Sequence, residues 1–283
     1  MTNSPLIGAH VSVAGGLYKG VENATRIGAE AIQIFGASPR QWAVKMPSAE
    51  EVGHYKKELA ASNVKAVFLH AAYLINLSST DEPLWKKSIE CLSGHLKIAE
   101  MIGAQGVVFH IHSIKGLNKK IAHENTAEGM EKVLAAVPGK AQLIMENNAG
   151  EPARLGSTIE DLALLMKSLK NPRVKICLDT AHTFESGMIE SYSPAHIKKL
   201  FDAWDDAVGV ENIAALHAND SKTPHLSHSD RHENIGEGYI GLKGFQALAK
   251  EKRLAHTAWL LEVPGYDNEG PDKKNVDILR GCF

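Results

Sequence analysis

Cysteine is scarce. Only Cys91, Cys177 and Cys282 occur among 283 residues. Three scattered thiols cannot make a disulfide framework, so a reducing compartment, the cytoplasm, is the simpler expectation. No stretch of 18 consecutive apolar residues occurs, which excludes a membrane-spanning helix. The opening MTNSPLIGAH lacks a charged start followed by an apolar run, so no signal peptide is expected. Net charge is nearly absent: 31 Lys and Arg stand against 33 Asp and Glu, a balance of −2. No bulk positive field draws this chain to nucleic acid or to an anionic membrane. No Pro/Gly/Ser-rich linker or low-complexity tract interrupts the sequence, so residues 1–283 are expected to form one domain. What is present in quantity is apolar surface, at 44% of residues, enough for a sizeable core. Histidine is also plentiful, with 14 against 7 Phe. It is the commonest metal ligand and a frequent proton carrier.

Short apolar runs recur every 30–40 residues or so, a spacing that one βα unit can fill. They lie at Leu6–Val11, Ala31–Phe35, Ala66–Leu69, Gly106–Phe109, Gln142–Met145, Val174–Leu178, Ile213–Leu216 and Ala258–Leu261. Little polar alternation breaks them, as expected of strands covered on both faces. Between them lie segments with helical spacing. Ser48–Ser62 opens with Ser and carries Glu three residues on, a capping-box pattern. Ser157–Leu169 and Ser193–Val208 are similar, and Gly28 and Gly103 read as stop signals. Eight such units predict an α/β fold, the (β/α)8 TIM barrel, with a doubly wound open sheet as the alternative.

In a barrel, chemistry gathers at the C-terminal ends of the strands. The third run ends at His70, the fourth at His110, the fifth at Glu146, the sixth at Asp179, the seventh at His217 and the eighth at Glu262. A single such residue is most simply a rim histidine or a helix cap. Six in register are different, because the barrel brings these ends to one mouth. Three carboxylates there repel one another unless cations neutralise them. His182 follows Asp179 by three residues, and Asp230-Arg231-His232 lies in the polar segment after run seven. Nine candidates result: His70, His110, Glu146, Asp179, His182, His217, Asp230, His232 and Glu262. They fit three ions, or two ions with hydrogen-bonded partners, and their donor types suit Zn²⁺, Mn²⁺ or Fe²⁺. Clustered divalent metals suit displacement at phosphorus, and their charge would let a phosphodiester bind without a basic surface.

Several long motifs then come into view: IGAHVSVAGGL, HAAYLINL, MENNAG, CLDTAHTFESG, LHANDSK, DRHENIGEG and LLEVPG. In these, and in their order along almost the whole chain, the sequence resembles the endonuclease IV family of apurinic/apyrimidinic endonucleases. The resemblance implies three Zn²⁺ ions. His70 and His110 would hold one, with Glu146 bridging to a second held also by Asp179, His217 and Glu262. His182, Asp230 and His232 would hold the third. It implies cleavage of double-stranded DNA on the 5′ side of an abasic site, leaving a 3′-hydroxyl and a 5′-deoxyribose phosphate, and trimming of blocked 3′ ends. Glu146 and Glu262 would be the catalytic pair that positions the attacking hydroxide. DNA contacts would come from Arg40, Gln41 and Trp42 after strand two and from Tyr73 and Leu74 after strand three. A monomer, nucleoid-associated if bacterial, completes the expectation.

The sequence departs from the family's pattern twice. The family usually has His-Pro-Gly-Ser after strand four, whereas this chain has His110-Ile111-His112-Ser113, so His112 is a spare ligand, a ligand's partner or a plain substitution. Ser38-Pro39 replaces a more Asn-rich approach to Arg40. Gly236-Glu237-Gly238-Tyr239-Ile240-Gly241 matches the G-x-G-x-x-G dinucleotide fingerprint, but the polar segment before it is no strand. Approach to a DNA phosphate or a tight turn explains these glycines better. A sugar isomerase of the xylose isomerase type is the main rival, and a non-catalytic DNA-binding module the third possibility. His10 is expected beside the site. His54, His95, His123, His196, His225, His228 and His256 are expected to be solvated, and Cys177 to be core.

Overall fold

The computed structural model describes residues 5–111, 116, 118–151 and 154–283. His112 lies outside them. Eight parallel strands close on themselves: β1 (Leu6–His10), β2 (Ala31–Phe35), β3 (Ala66–His70), β4 (Gly106–His110), β5 (Gln142–Glu146), β6 (Val174–Asp179), β7 (Ile213–His217) and β10 (Ala258–Leu261). Each pairs with its neighbours in sequence, and β1 pairs with both β2 and β10. That closure excludes the open doubly wound sheet. The predicted runs coincide with these strands to within one residue. β1 stops one residue short of its run, and five strands continue one residue further, onto the polar residue that ends the run.

Helices α1 (Leu17–Ile27), α2 (Ala49–Ala61), α3 (Glu82–Ile102), α4 (Lys119–Ala136), α5 (Ile159–Leu169), α6 (Thr180–Glu185), α7 (Pro194–Val208), α8 (Gly241–Leu248) and α9 (Lys273–Arg280) connect or follow the strands. A short antiparallel ribbon, β8 (Asp220–Ser221) with β9 (His232–Glu233), is inserted after β7. Local chemistry sets the helix ends. The Ser48 and Ser193 side chains accept from the amides of Glu51 and His196, satisfying donors that the first turn leaves open. Gly28 and Gly103 close α1 and α3 in the left-handed region, both at φ 76. The capping box at Ser48 is only half made, because the Glu51 carboxylate accepts from the Leu17 amide instead. Thr158, not Ser157, caps α5.

Two cores result from the period of two along each strand. Val67, Leu69, Val107, Phe109, Leu143, Met145, Leu216 and Leu261 point outward into the large core shared with the helices. A separate small cluster, including Phe68, Val108, Ile144, Cys177, Ala215 and Leu260, forms the barrel interior. Each of these six stands two residues before a polar strand-end residue: His70, His110, Glu146, Asp179, His217 and Glu262. The alternation that fills the barrel with hydrocarbon therefore carries all six polar groups to the same inner face, one layer higher. Cys177 is core, as expected.

Candidate metal centre

The six strand-end residues converge. His70, His110 and Glu146 form one set of potential ligands, Glu146, Asp179, His217 and Glu262 a second, and Asp179, His182 and His232 a third. Within each set the ligand atoms lie within 4.8 Å of one another. Glu146 links the sets. Its Oε2 lies 3.3 Å from His70 Nε2 and 3.4 Å from His110 Nε2, and its Oε1 lies 2.8 Å from His217 Nδ1. Asp230 joins the third set, 3.2 Å from His182 Nε2 and 3.6 Å from His232 Nε2. The structure thus brings all nine sequence-predicted residues to one mouth.

The second nitrogen of four imidazoles decides what the first can do. His70 Nδ1 faces the Ala71 carbonyl at 2.9 Å, His182 Nδ1 the Asn147 carbonyl at 2.9 Å, and His232 Nδ1 the Glu262 carbonyl at 3.3 Å. A carbonyl only accepts, so these nitrogens donate, and in the neutral ring Nε2 is left as a lone pair. His217 is the reverse case. Its Nε2 donates to Gln33 Oε1 at 2.9 Å, and its Nδ1 lone pair points at Glu146 and Glu262. In the neutral rings these lone pairs would face carboxylate oxygens, so each pair needs a positive charge, either a proton on the ring or a cation between the two. Nε2 of His182 and Nε2 of His232 are buried without a hydrogen-bond partner while pointing at the same Asp230 oxygen. Imidazole and carboxylate donors arranged in this way fit borderline divalent cations.

Three amide side chains that sequence reasoning passed over hold Asp179 and Glu262 in place. Asn147 Oδ1 accepts from the Asp179 amide, and its Nδ2 donates to the Asp179 carbonyl. Asn219 donates to Asp179 Oδ2 at 2.6 Å and accepts from the Glu262 amide at 2.7 Å. Gln33 donates to Glu262 Oε1 and to His10 Nδ1. Asn219 was findable, because it lies two residues after His217. Gln33 was harder, since it sits inside the run of β2. His10 stands beside the site as expected, 3.3 Å from Glu262.

Electrostatics match the geometry. Burial alone would push the Glu146 carboxyl up, but the charges of His110 and His217 hold it well below the usual range. Burial likewise opposes ionisation of Asp230, and His182 overrides it. Burial disfavours the His182 imidazolium, yet Asp179 and Asp230 hold it well above its ordinary value. Buried carboxylates in this centre stay ionised only because positive charge is shared among them.

A cavity of about 1010 Å³ opens over the centre, and His70, His110, His182, Asp230, His232 and Glu262 reach it. Glu146, Asp179 and His217 form its floor, fully buried. Tyr73 lines the same cavity, half-exposed, with its ring edge-on to Phe35 and 5.8 Å from His70. Its amide donates to the Pro39 carbonyl, which ties its loop to the one carrying Arg40 and Gln41. Arg40 and Gln41 are exposed, and Leu74 is half-buried. Trp42 packs partly buried against the large core, under the Lys87 ammonium. His95 and His123 are corrections. His95 is fully buried on α3, and His123 is buried beside Asp161.

The glycine fingerprint has a structural explanation. The amides of Gly236, Gly238, Ile240 and Gly241 all donate to the buried Asp220 carboxylate. The loop wraps an anion of the chain itself, which leaves those amides for neither a dinucleotide nor a DNA phosphate. The tight turn is the expectation that holds.

Comparisons with known proteins agree with this geometry. The xylose isomerase-like TIM barrel family model matches residues 21–282. A protein of Halothermothrix orenii described as "Probable endonuclease 4" is 34% identical over 275 residues, covering 97% of this chain and 99% of its own. The crystal structure of endonuclease IV from Thermus thermophilus superposes with a TM-score of 0.85 at 33% identity, covering 98% of each chain. A D-tagatose 3-epimerase-like protein shares the fold, with a TM-score of 0.74 at 18% identity over 98% of this chain and 96% of its own. The chain therefore belongs to the xylose isomerase-like TIM barrels and, among them, to the endonuclease IV family.

Proposed function

We propose that this protein is a DNA repair endonuclease that uses three zinc ions. In this reading it cleaves the phosphodiester 5′ to an abasic site, leaves a 3′-hydroxyl and a 5′-deoxyribose phosphate, and trims blocked 3′ ends. It acts as a monomer in the cytoplasm. The observation that carries the reading is the third donor set. His182, Asp230 and His232 lie beside two other sets, which share Glu146, and they meet the second of these through Asp179. A sugar isomerase needs one or two ions and has no evident use for that set.

His70 and His110 with Glu146, then Asp179, His217 and Glu262, then His182, Asp230 and His232 would hold the ions. Zinc supplies charge neutralisation at the phosphate and a more acidic water. Glu262 reaches the cavity and orients the attacking water from that side, while Glu146 does so from the floor. Gln33 keeps the Glu262 carboxylate turned toward the mouth. Tyr73 and Leu74 fill the space that an absent base leaves in the stack, and Arg40 and Gln41 contact the strand beside it.

The test combines zinc content with nicking of a duplex carrying one abasic site. About three zinc ions per chain and incision 5′ to the lesion, lost on chelation, are expected. Sugar interconversion without incision would favour the isomerase. DNA binding that survives chelation, without incision, would favour a binding module.

A further inference from the structure

Glu185 is a fully buried carboxylate that the proposed chemistry does not use. It ends the short helix α6, which begins at the Asp179 cap and carries His182 one turn before Glu185. Its Oε1 accepts from Ser221 Oγ at 2.7 Å, from Thr223 Oγ1 at 3.0 Å and from the Arg231 amide at 3.4 Å. These three donors bracket residues 222–231, the segment that leads into Asp230 and His232. The main chain adds to the grip. The Leu226 amide donates to the Phe184 carbonyl and the His228 amide to the Glu185 carbonyl.

The gripped segment is under strain. Leu226 at φ 61 and His228 at φ 54 occupy the left-handed region, where a side chain costs about 1 kcal/mol or more. A loop holding two such residues does not keep its shape unaided. No Lys or Arg pairs with Glu185 among the described residues, so its carboxylate serves these donors and not a surface ion pair. Its Oε2 has no hydrogen-bond partner. One oxygen makes the whole grip, and a glutamine carbonyl can reproduce it.

We propose that Glu185 is a positioning residue that clamps the 222–231 segment to α6. Asp230 and His232 are thereby set opposite His182 before any cation is bound. The proposal rests on the three-ion reading above and assigns the clamp only to the third set.

The test withdraws zinc from the loaded full-length protein with chelators of graded strength, comparing wild type with Glu185→Ala, Glu185→Gln and Thr223→Val. In Glu185→Ala, one zinc of three should be held about 10- to 100-fold more weakly, the usual cost of losing a ligand's support. The other two should be unchanged. Glu185→Gln should restore retention to within about threefold, and Thr223→Val, a milder change at a half-exposed site, should fall between. Amide hydrogen exchange should rise at 222–231 in Glu185→Ala and not in Glu185→Gln. Wild-type retention of all three ions by Glu185→Ala overturns the clamp. So does uniform loosening of all three, or a Glu185→Gln variant as weak as Glu185→Ala. Fewer than three ions in the unmodified chain would overturn the three-ion reading itself, and the clamp with it.

Discussion

Glu262 is the carboxylate whose charge can be removed with little change of shape. In Glu262→Gln the Gln33 and Asn219 contacts to the residue can largely persist, so the fold should hold. Nicking of an abasic duplex should drop at least about a hundredfold, the scale of losing one stabilising group at a reaction centre. Unchanged nicking would remove Glu262 from the chemistry. Tyr73→Ala should act elsewhere. Its ring is half-exposed over the cavity, so affinity for abasic duplex should weaken while single-turnover incision at saturation changes little. Equal affinity of variant and wild type would refute the wedge role. His95 gives a pH signature. Burial pushes its ring down to about 4 from an ordinary 6.5. Between those values the unfolded chain takes up a proton that the folded chain refuses, so stability falls as pH drops. Relative to His95→Leu, the wild type should lose up to about 3 kcal/mol as pH falls from 6.5 toward 4, and nothing above 6.5. Urea unfolding at stepped pH measures this, and parallel curves would show that the ring is not buried neutral.

Elements carry a different kind of information. The eight strands were legible because doubly covered strands are continuous apolar runs, and their polar ends were legible because each run stops on a charged or imidazole side chain. Helix faces were less well read. His95 stands in the same stripe of α3 as Cys91, Leu92, Ile98 and Ala99, at the spacing that marks an inward face. Residue type suggested solvent, and the helical period had the better information. The glycine loop after β9 was legible as a tight turn, but what it wraps was not. Its purpose depends on Asp220, 16 residues before Gly236, and no local spacing links the two. Asp220→Ala should leave four partly buried amides without their acceptor and cost about 2–4 kcal/mol, read from urea unfolding. A loss under about 0.5 kcal/mol would mean that the amides find water instead.

At the scale of the molecule, the centre is a concentration of like charge near the axis of the barrel. Glu146 and Asp179 are fully buried, with Glu262 close by. Cations that bind the folded chain and not the unfolded one stabilise it by mass action. Stripping the metal should therefore lower the thermal midpoint. Each site saturated at about 100 times its Kd contributes about 2.7 kcal/mol. Differential scanning with and without chelator, followed by zinc add-back, measures the shift. A midpoint indifferent to metal would mean that the folded chain gains nothing from binding it.

The barrel and the candidate donors could be read along the chain. Hydrocarbon periodicity along a strand is local, and a polar residue at the end of a run needs no partner to be noticed. Which nitrogen of each imidazole faces the centre, which amides hold Asp179 and Glu262, and the inward packing of Trp42 and His95 came from the folded arrangement. Those facts depend on atoms brought together from strands far apart in the chain, and hydrogen-bond direction is a property of the pair.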